Sequence, residues 1–568
     1  MSIQFRTLWR AFCAQLVGDA MESEAAYRHR LVMIFACLIA PAFFILIFLY
    51  PDFSGAVIRA RYHRAPASII DDRLEWISFI LISHAMVGVG FVTVLAWESL
   101  TFSVRDAMVL GPLPVRPTIL FAAKTAALGT LLVAAAVPLA LVQATLFAIE
   151  TTIVPSLWAF LFRLGVTLVT LLAASLFTFA AVLALRALAV LCIGARRASA
   201  LGPMLQFLFV LAMMMLVFMS PAVVRSQYVT VRSTDSLPSA WFVGMFERLR
   251  GSPRADWPQF ALLARRAMAA VPIALIAAIG FSAFTFRQQM RAALSPVVHT
   301  ATISTAGLFR AIARRLAGRS QFARETADFV VLTLSRCRPQ QQPIAVALAM
   351  GSAIALTELM QRIHVFADAL EPRAVTFCVP LVLGYCIVLG LRRALKMPAE
   401  LPAAWTFRFN APEARTAVSA GVRASVYGVA VVPLAVLTAL FFSLAIGWRL
   451  GAWHTLVVTC MTAFLTELML LGVDDMPFTR AEQPPETGAP VWWVFYLLGL
   501  MFFVYLPGRL ESNLIAHGRS PLLIAGVAAT AAVAVAVLRT AALRRRRIET
   551  DVEYELVPLG GIQPLGLN

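Results

Sequence analysis

The sequence predicts an all-α polytopic membrane protein: a transmembrane helical bundle of about 12 spans in a 6+6 layout. Three observations predict it. Of the 568 residues, 60% are apolar and only 14% are charged, against about 25% charged in a soluble domain. The mean hydropathy is +0.81. The apolar residues also gather into runs of roughly 17–30, the length a helix needs to cross about 30 Å of hydrocarbon. No water is present there, so each run must satisfy its own backbone hydrogen bonds, which only a helix does within one segment.

Spans are expected at about 31–50, 77–97, 119–147, 157–185, 201–224 and 267–284, then at 343–363, 374–391, 424–447, 453–473, 491–507 and 520–539. Arg163 interrupts the fourth, which Leu185–Gly194 could extend. Four parts follow from this spacing: a first six-span half at 1–290, an amphipathic linker at 291–342, a second half at 343–543 and a tail at 544–568. Each half opens with an amphipathic segment. Phe5, Leu8, Trp9, Phe12 and Leu16 share one stripe within 3–17, which reads as a helix lying along the membrane surface. Within 307–336, Leu308, Phe309, Ile312 and Leu316 face one way while Arg310, Arg314, Arg315 and Arg319 face others. Duplication of this kind recurs in transporters.

The formal net charge is +18, carried almost wholly by arginine, since the only lysines are Lys124 and Lys396. In a membrane protein basic loops hold the cytoplasmic side and meet anionic headgroups, so no nucleic acid partner is expected. An even span count and the Arg544–Arg547 cluster put both termini in the cytoplasm, with the chain multi-pass in the cell's inner (plasma) membrane. The seven cysteines form no C-x-x-C pair, so neither a zinc site nor a structural disulfide is expected. Between the fifth and sixth spans, Trp241, Phe242, Met245, Phe246 and Leu249 form an apolar stripe interrupted by Glu247 and Arg248. This is either a short helix resting on the outer leaflet or an ordinary surface loop.

Catalytic motifs are missing. Neither Lys124 nor Lys396 follows the Gly-rich run of a phosphate-binding loop, and there is no H-E-x-x-H and no G-x-S-x-G. Asp474 and Asp475 read as solvated charges ending the tenth span. The chain is therefore expected to be no enzyme and to hold no cofactor or metal. Charges within spans are few: Arg163, Glu358 and Glu467 lie near span ends, where they could snorkel or sit at an interface. His84 reads as a packed, hydrogen-bonded histidine. No ladder of acids and histidines is expected to cross the membrane.

The stretch from Glu98 to Lys124 carries the most information. It leaves a span at Glu98, stays polar through Arg105 and Asp106, and reaches Leu113-Pro114-Val115-Arg116-Pro117. Three prolines in six residues cannot continue a helix, so a stiff exposed bend joins two helices. Such a bend suits docking to another protein, because little order is lost on binding.

Here the chain resembles the permease subunits of type-2 ABC exporters. Their coupling helix, between the second and third spans, begins near a Glu, passes a Leu-Pro-Val-Ser/Arg turn and ends at a Lys or Arg. Glu98, Leu113, Pro114, Val115, Arg116 and Lys124 match that pattern, with Arg105 and Pro117 within the same loop. The usual permease of that family has six spans and dimerises, whereas this chain resembles a fused double-length form. The second loop, with Pro402, Trp405, Phe407 and Arg408 as its possible coupling residues, lacks the Leu-Pro-Val-Arg pattern. The resemblance implies export driven by a separate cytoplasmic ATP-binding subunit, in two copies, with substrate leaving along the interface of the halves. Two other classes remain: a secondary transporter of the major facilitator type, whose G-x-x-x-D-R-x-G-R-like turn is absent, and a polytopic membrane enzyme. The sequence does not name the substrate; without charged span centres, the expectation leans away from ions and towards an amphiphile, lipid or hydrophobic compound.

Overall fold

The computed structural model describes residues 3–17, 51, 53–60, 62, 68–97, 100, 110, 114–152, 156–225, 237–294, 305–363, 374–399, 415–473, 476–479, 496 and 498–545. Among these residues every regular element is helical. The chain divides into two compact units, Met1–Val298 and His299–Asn568. The expected first span, 31–50, and Asp474 and Asp475 lie outside the described residues.

The first unit contains α1 (Ile3–Val17), α2 (Ser68–Leu95), α3 (Pro117–Thr151), α4 (Leu157–Ile193), α5 (Ala195–Ala200), α6 (Gly202–Arg225), α7 (Pro238–Leu249) and α8 (Pro258–Leu294). The second contains α9 (Thr305–Leu316), α10 (Gln321–Arg336), α11 (Arg338–Ile363), α12 (Ala374–Lys396) and α13 (Arg415–Val426). A π turn at Tyr427–Val431 leads into α14 (Val432–Ile446), followed by α15 (Trp448–Met469). A second π turn at Met501–Tyr505 leads into α16 (Leu506–Ala516), and α17 (Leu522–Arg545) ends the unit.

Eight helices among the described residues are long and apolar enough to cross a membrane: Ser68–Leu95, Pro117–Thr151, Leu157–Ile193, Pro258–Phe286, Thr376–Lys396, Thr416–Ile446, Trp448–Met469 and Leu522–Leu543. A shorter apolar helix covers Gly202–Val217. The expected seventh span coincides with α11, which opens on Gln340, Gln341 and Gln342 and is not one of the eight. The fourth runs on to Ile193, where Gly194 stops it with φ +83, a left-handed conformation that costs glycine little.

In the first unit α2 is central: 89% of its apolar window is buried, against 17% for α8. Leu74, Ile77, Leu81 and Ile82 of α2 pack with Ala140, Ala144 and Phe147 of α3, Leu171 and Ala174 of α4, and Phe260 and Leu263 of α8. The peripheral helices keep large apolar side chains facing outward, such as Ile276 and Phe284 on α8 and Leu440 and Leu444 on α14. Apolar surface on this scale needs a non-aqueous neighbour, which a bilayer supplies. In the second unit the core is built on α12, with Leu381, Tyr385, Val388 and Leu391 packed against Val457, Val458 and Leu465 of α15 and Val504 of the second π turn.

Each π turn ends two residues before a proline, Pro433 and Pro507. Proline lacks an N–H and crowds the preceding turn. Widening that turn to a π turn is one way a helix accommodates it.

Three structural features differ from the expectations. First, α7 does not rest on a surface: Phe242, Val243, Phe246 and Glu247 are all buried, in the core formed with α2, α3, α4 and α8. The close approach depends on Gly244, where a Cβ would meet Leu263 Cβ at 2.6 Å and Ala264 N at 2.7 Å. Second, the apolar stripe of α1 packs on protein: Phe12 is buried with Leu120, Ala123 and Ala127 of α3 and Phe286 of α8. Third, the α9–α10 hairpin packs through small residues, Ala313, Ala317, Ala323 and Ala327, onto Ala424 of α13. Leu308 and Leu316 stay exposed, while Phe309 of the same stripe packs against this cluster.

Candidate coupling turn and buried polar sites

Of the first-loop residues, Pro114, Val115, Arg116, Pro117 and Lys124 are described; Glu98, Arg105 and Leu113 lie outside the described residues, as do Pro402, Trp405, Phe407 and Arg408 of the second loop. Pro114, Arg116 and Pro117 are exposed. Arg116 is the N-cap of α3 with extended backbone (φ -63, ψ 131), and Pro117 occupies its first turn, where a missing N–H costs nothing and the fixed φ suits the helix. The turn thus passes directly into a helix of 35 residues. At about 1.5 Å per residue that helix is longer than the hydrocarbon is thick.

Lys124, in the second turn of α3, is buried rather than part of the exposed turn, at 4% relative exposure. Its Nζ lies 4.7 Å from the centroid of the Phe12 ring, close enough for a cation–π attraction strengthened by desolvation. Trp9 Nε1 donates to Thr130 Oγ1 at 3.0 Å. These contacts fasten α1 along the first part of α3. At the other side of the loop, Trp97 accepts a hydrogen bond from Arg186 of α4 through its carbonyl, and the guanidinium stacks 4.6 Å from its ring centroid. The second loop also starts from an anchored stretch: Ala399 N donates to Phe478 O at 3.0 Å and Gln340 Nε2 to Pro398 O at 3.0 Å.

At the opposite end of the first unit, the segment between α7 and α8 is clipped to the start of α2 by two arginines. Arg250 Nη2 lies 2.7 Å from Glu247 Oε2 and 2.9 Å from Asp71 Oδ1. Arg254 lies 2.6 Å from Asp72 Oδ1 and 3.2 Å from Glu75 Oε2. Burial works against the charge on Arg254, but hydrogen bonding and attraction from Asp72, with Glu75 and Asp71 beyond, hold its guanidinium above the usual arginine range. In the second unit Arg310 and Arg314 of α9 both donate to Asp328 Oδ2 at 3.0 Å, closing the hairpin with α10. The hydrogen bond from Arg310 to that carboxylate raises the arginine further.

The second unit also buries a pair that the spacing of the sequence did not suggest. His454 Nδ1 of α15 lies 2.9 Å from Glu511 Oε2 of α16, with both side chains fully buried. Phe442 and Phe377 pack on the imidazole at centroid separations of 4.3 and 4.9 Å. Glu467 does not snorkel: it is buried and accepts from the Tyr427 hydroxyl at 3.1 Å, with Arg423 Nε at 3.8 Å. Arg163 Nη1 donates to Thr151 O at 2.7 Å. His84 Nδ1 and Gln143 Nε2 are 2.6 Å apart, the packed, hydrogen-bonded arrangement expected of it. The Glu358 side chain lies outside the described residues. Among the described residues no cluster of histidine, cysteine and carboxylate side chains could hold a metal ion.

Apolar helices of this length, with outward apolar faces and buried polar pairs, define the class: a helical membrane protein with several candidate spans. Comparison with family models, curated proteins and solved structures gives no match in any of the three.

Proposed function

We propose that the chain is the membrane permease of an ATP-driven exporter of the type-2 ABC kind, worked by a separate cytoplasmic ATPase. The observation that carries this reading is the exposed Pro114–Pro117 turn, which runs without a break into α3. Two prolines fix its shape. The docking of α1 at Lys124 and Thr130 ties a second helix to the same lever. A push on such a turn reaches the spans with little lost to local bending.

Twelve spans in a 6+6 layout belong to the same reading, and a positional repeat supports it. Arg163 and His454 are each the seventh residue of their helices, α4 and α15. Glu247 and Glu511 each stand eleven residues ahead of the next long helix, at Pro258 and Leu522, and both are fully buried. A base on one helix and an acid before the last thus recur in both units.

The test is the double change Pro114→Gly with Pro117→Gly. Both prolines are exposed, so membrane insertion should survive while the turn gains conformational freedom. Association with the ATPase and substrate-stimulated ATP hydrolysis by the reconstituted complex should fall. A double variant with a lower melting temperature but normal stimulation would show that the prolines only shape the ends of two spans. The isolated chain should not bind ATP; nucleotide binding at low-micromolar affinity would overturn the reading.

A second reading has one observation in its favour. The buried His454–Glu511 pair is the kind of group a proton-coupled secondary transporter uses. Uptake into liposomes by the chain alone, driven by a proton gradient and lost in Glu511→Gln, would select that class.

A further inference from the structure

We propose that the first unit holds a binding site for a singly charged anionic amphiphile, with Arg163 as the group that receives its head. A cavity of about 370 Å³ opens among the starts of α2 and α4, the end of α3 and the segment before α8. That volume falls within the range of ordinary ligand pockets, which are mostly apolar with a few placed polar groups. Phe147, Phe162, Val166 and Phe246 give it apolar walls, and Arg163 and Arg250 give it two guanidinium groups.

The two arginines are in different electrostatic states. Arg250 is neutralised where it stands, by Glu247 at 2.7 Å and Asp71 at 2.9 Å. The hydrogen bond of Arg163 goes to a neutral acceptor, the Thr151 carbonyl, and none of the described salt bridges includes it. Asp71 lines the cavity and, with Glu247, already offsets the charge of Arg250, which leaves Arg163 as the lining cation for a ligand to meet. One negative charge on a ligand pairs with Arg163; a second would meet the carboxylate of Asp71. A guanidinium held in partly apolar surroundings gains strongly from a paired anion.

A second observation points into the same space. Thr167 lines the cavity, is 4% exposed, and its Oγ1 has no hydrogen-bond partner. It also lines a much smaller void of about 10 Å³ beside Ser78 and Thr170, room for about one water molecule. A buried hydroxyl without a partner is costly, and a ligand oxygen or a water relayed from the cavity would satisfy it. Apart from Ser252, whose hydroxyl accepts from Arg250, the remaining side chains of the lining are apolar, which calls for a tail as well as a head. The shared chemistry is therefore a monoanionic head on an acyl chain, as in a fatty acid or an anionic phospholipid.

The inference concerns equilibrium binding by the chain alone and does not rest on the exporter reading. Purified full-length protein in a neutral detergent is titrated with radiolabelled dodecanoate and challenged with lyso-phosphatidylglycerol, dodecanol and inorganic phosphate. Saturable binding is expected, displaced by the two anionic amphiphiles and not by dodecanol or phosphate; whichever amphiphile displaces at lower concentration identifies the source. Arg163→Gln should weaken binding at least tenfold. Ala159→Trp, which fills the cavity wall and keeps both arginines, should abolish it. Equal displacement by dodecanol, or unchanged affinity in Arg163→Gln, would overturn the proposal. Should a variant fail to fold, the contrast between dodecanoate and dodecanol on the unmodified protein still decides the matter.

Discussion

His454 and Glu511 meet at 2.9 Å with neither side chain exposed, although 57 residues separate them. The pair ties α15 to α16 and stands against Phe377 and Phe442. Removing one partner leaves the other buried with an unmet hydrogen bond, a loss of about 1–3 kcal/mol. His454→Leu alone should therefore lower the melting temperature of the purified protein, and the double change with Glu511→Leu should recover part of that loss. Additive losses in the double-mutant cycle would mean that the two groups do not stabilise each other.

Phe12 and Lys124 fasten α1 to α3. Phe12→Ala removes a buried ring and the partner of the Lys124 ammonium, a change of about 3–5 kcal/mol at a well-packed site. Arg6 and Arg10 on the same helix are exposed, yet trypsin needs the helix locally unfolded to cut after them. Cleavage at these two arginines should be faster in Phe12→Ala than in the unmodified chain. An unchanged rate would mean that other contacts hold α1 in place.

Gly244 and Gly280 should respond oppositely to alanine. A Cβ at Gly244 meets Leu263 Cβ at 2.6 Å, whereas at Gly280 there is nothing within 4 Å. Gly244→Ala overpacks the contact between α7 and α8 and should cost about 1–3 kcal/mol. Gly280→Ala, in the open interior of α8, should gain about 0.5–1 kcal/mol from lower chain entropy. Thermal unfolding of both variants side by side tests the packing of α7; equal stability would place that helix away from α8.

The orientation of the chain has its own test. With the native cysteines replaced, a cysteine introduced as Gly560→Cys should resist a membrane-impermeant maleimide in intact cells and react once the cells are opened. Efficient labelling of intact cells would put the C-terminus outside and reverse the assignment drawn from the Arg544–Arg547 cluster.

Several features could be read directly from the sequence because they are local. Apolar runs long enough to cross a bilayer announce their helices whatever packs around them, as at α3, α4 and α8. The stripe through Phe5, Leu8, Trp9 and Phe12 fixes an amphipathic helix, and the prolines at 114 and 117 fix a bend at the start of α3.

What those elements touch depended on the tertiary structure. The same stripe on α1 could have met lipid; it meets Leu120 and Ala123 instead. Lys124 looked like the edge of an exposed loop, and about two helical turns carry it into a buried place over Phe12. Arg250 and Asp71, 179 residues apart, carry no mutual signal in the sequence, and neither do His454 and Glu511. Hydropathy and helical periodicity act within one segment, so the sequence by itself determines which segments are helices and which face is apolar. The rotation and close approach of packed helices, set by contacts such as Gly244 against Leu263, decide which buried charges meet.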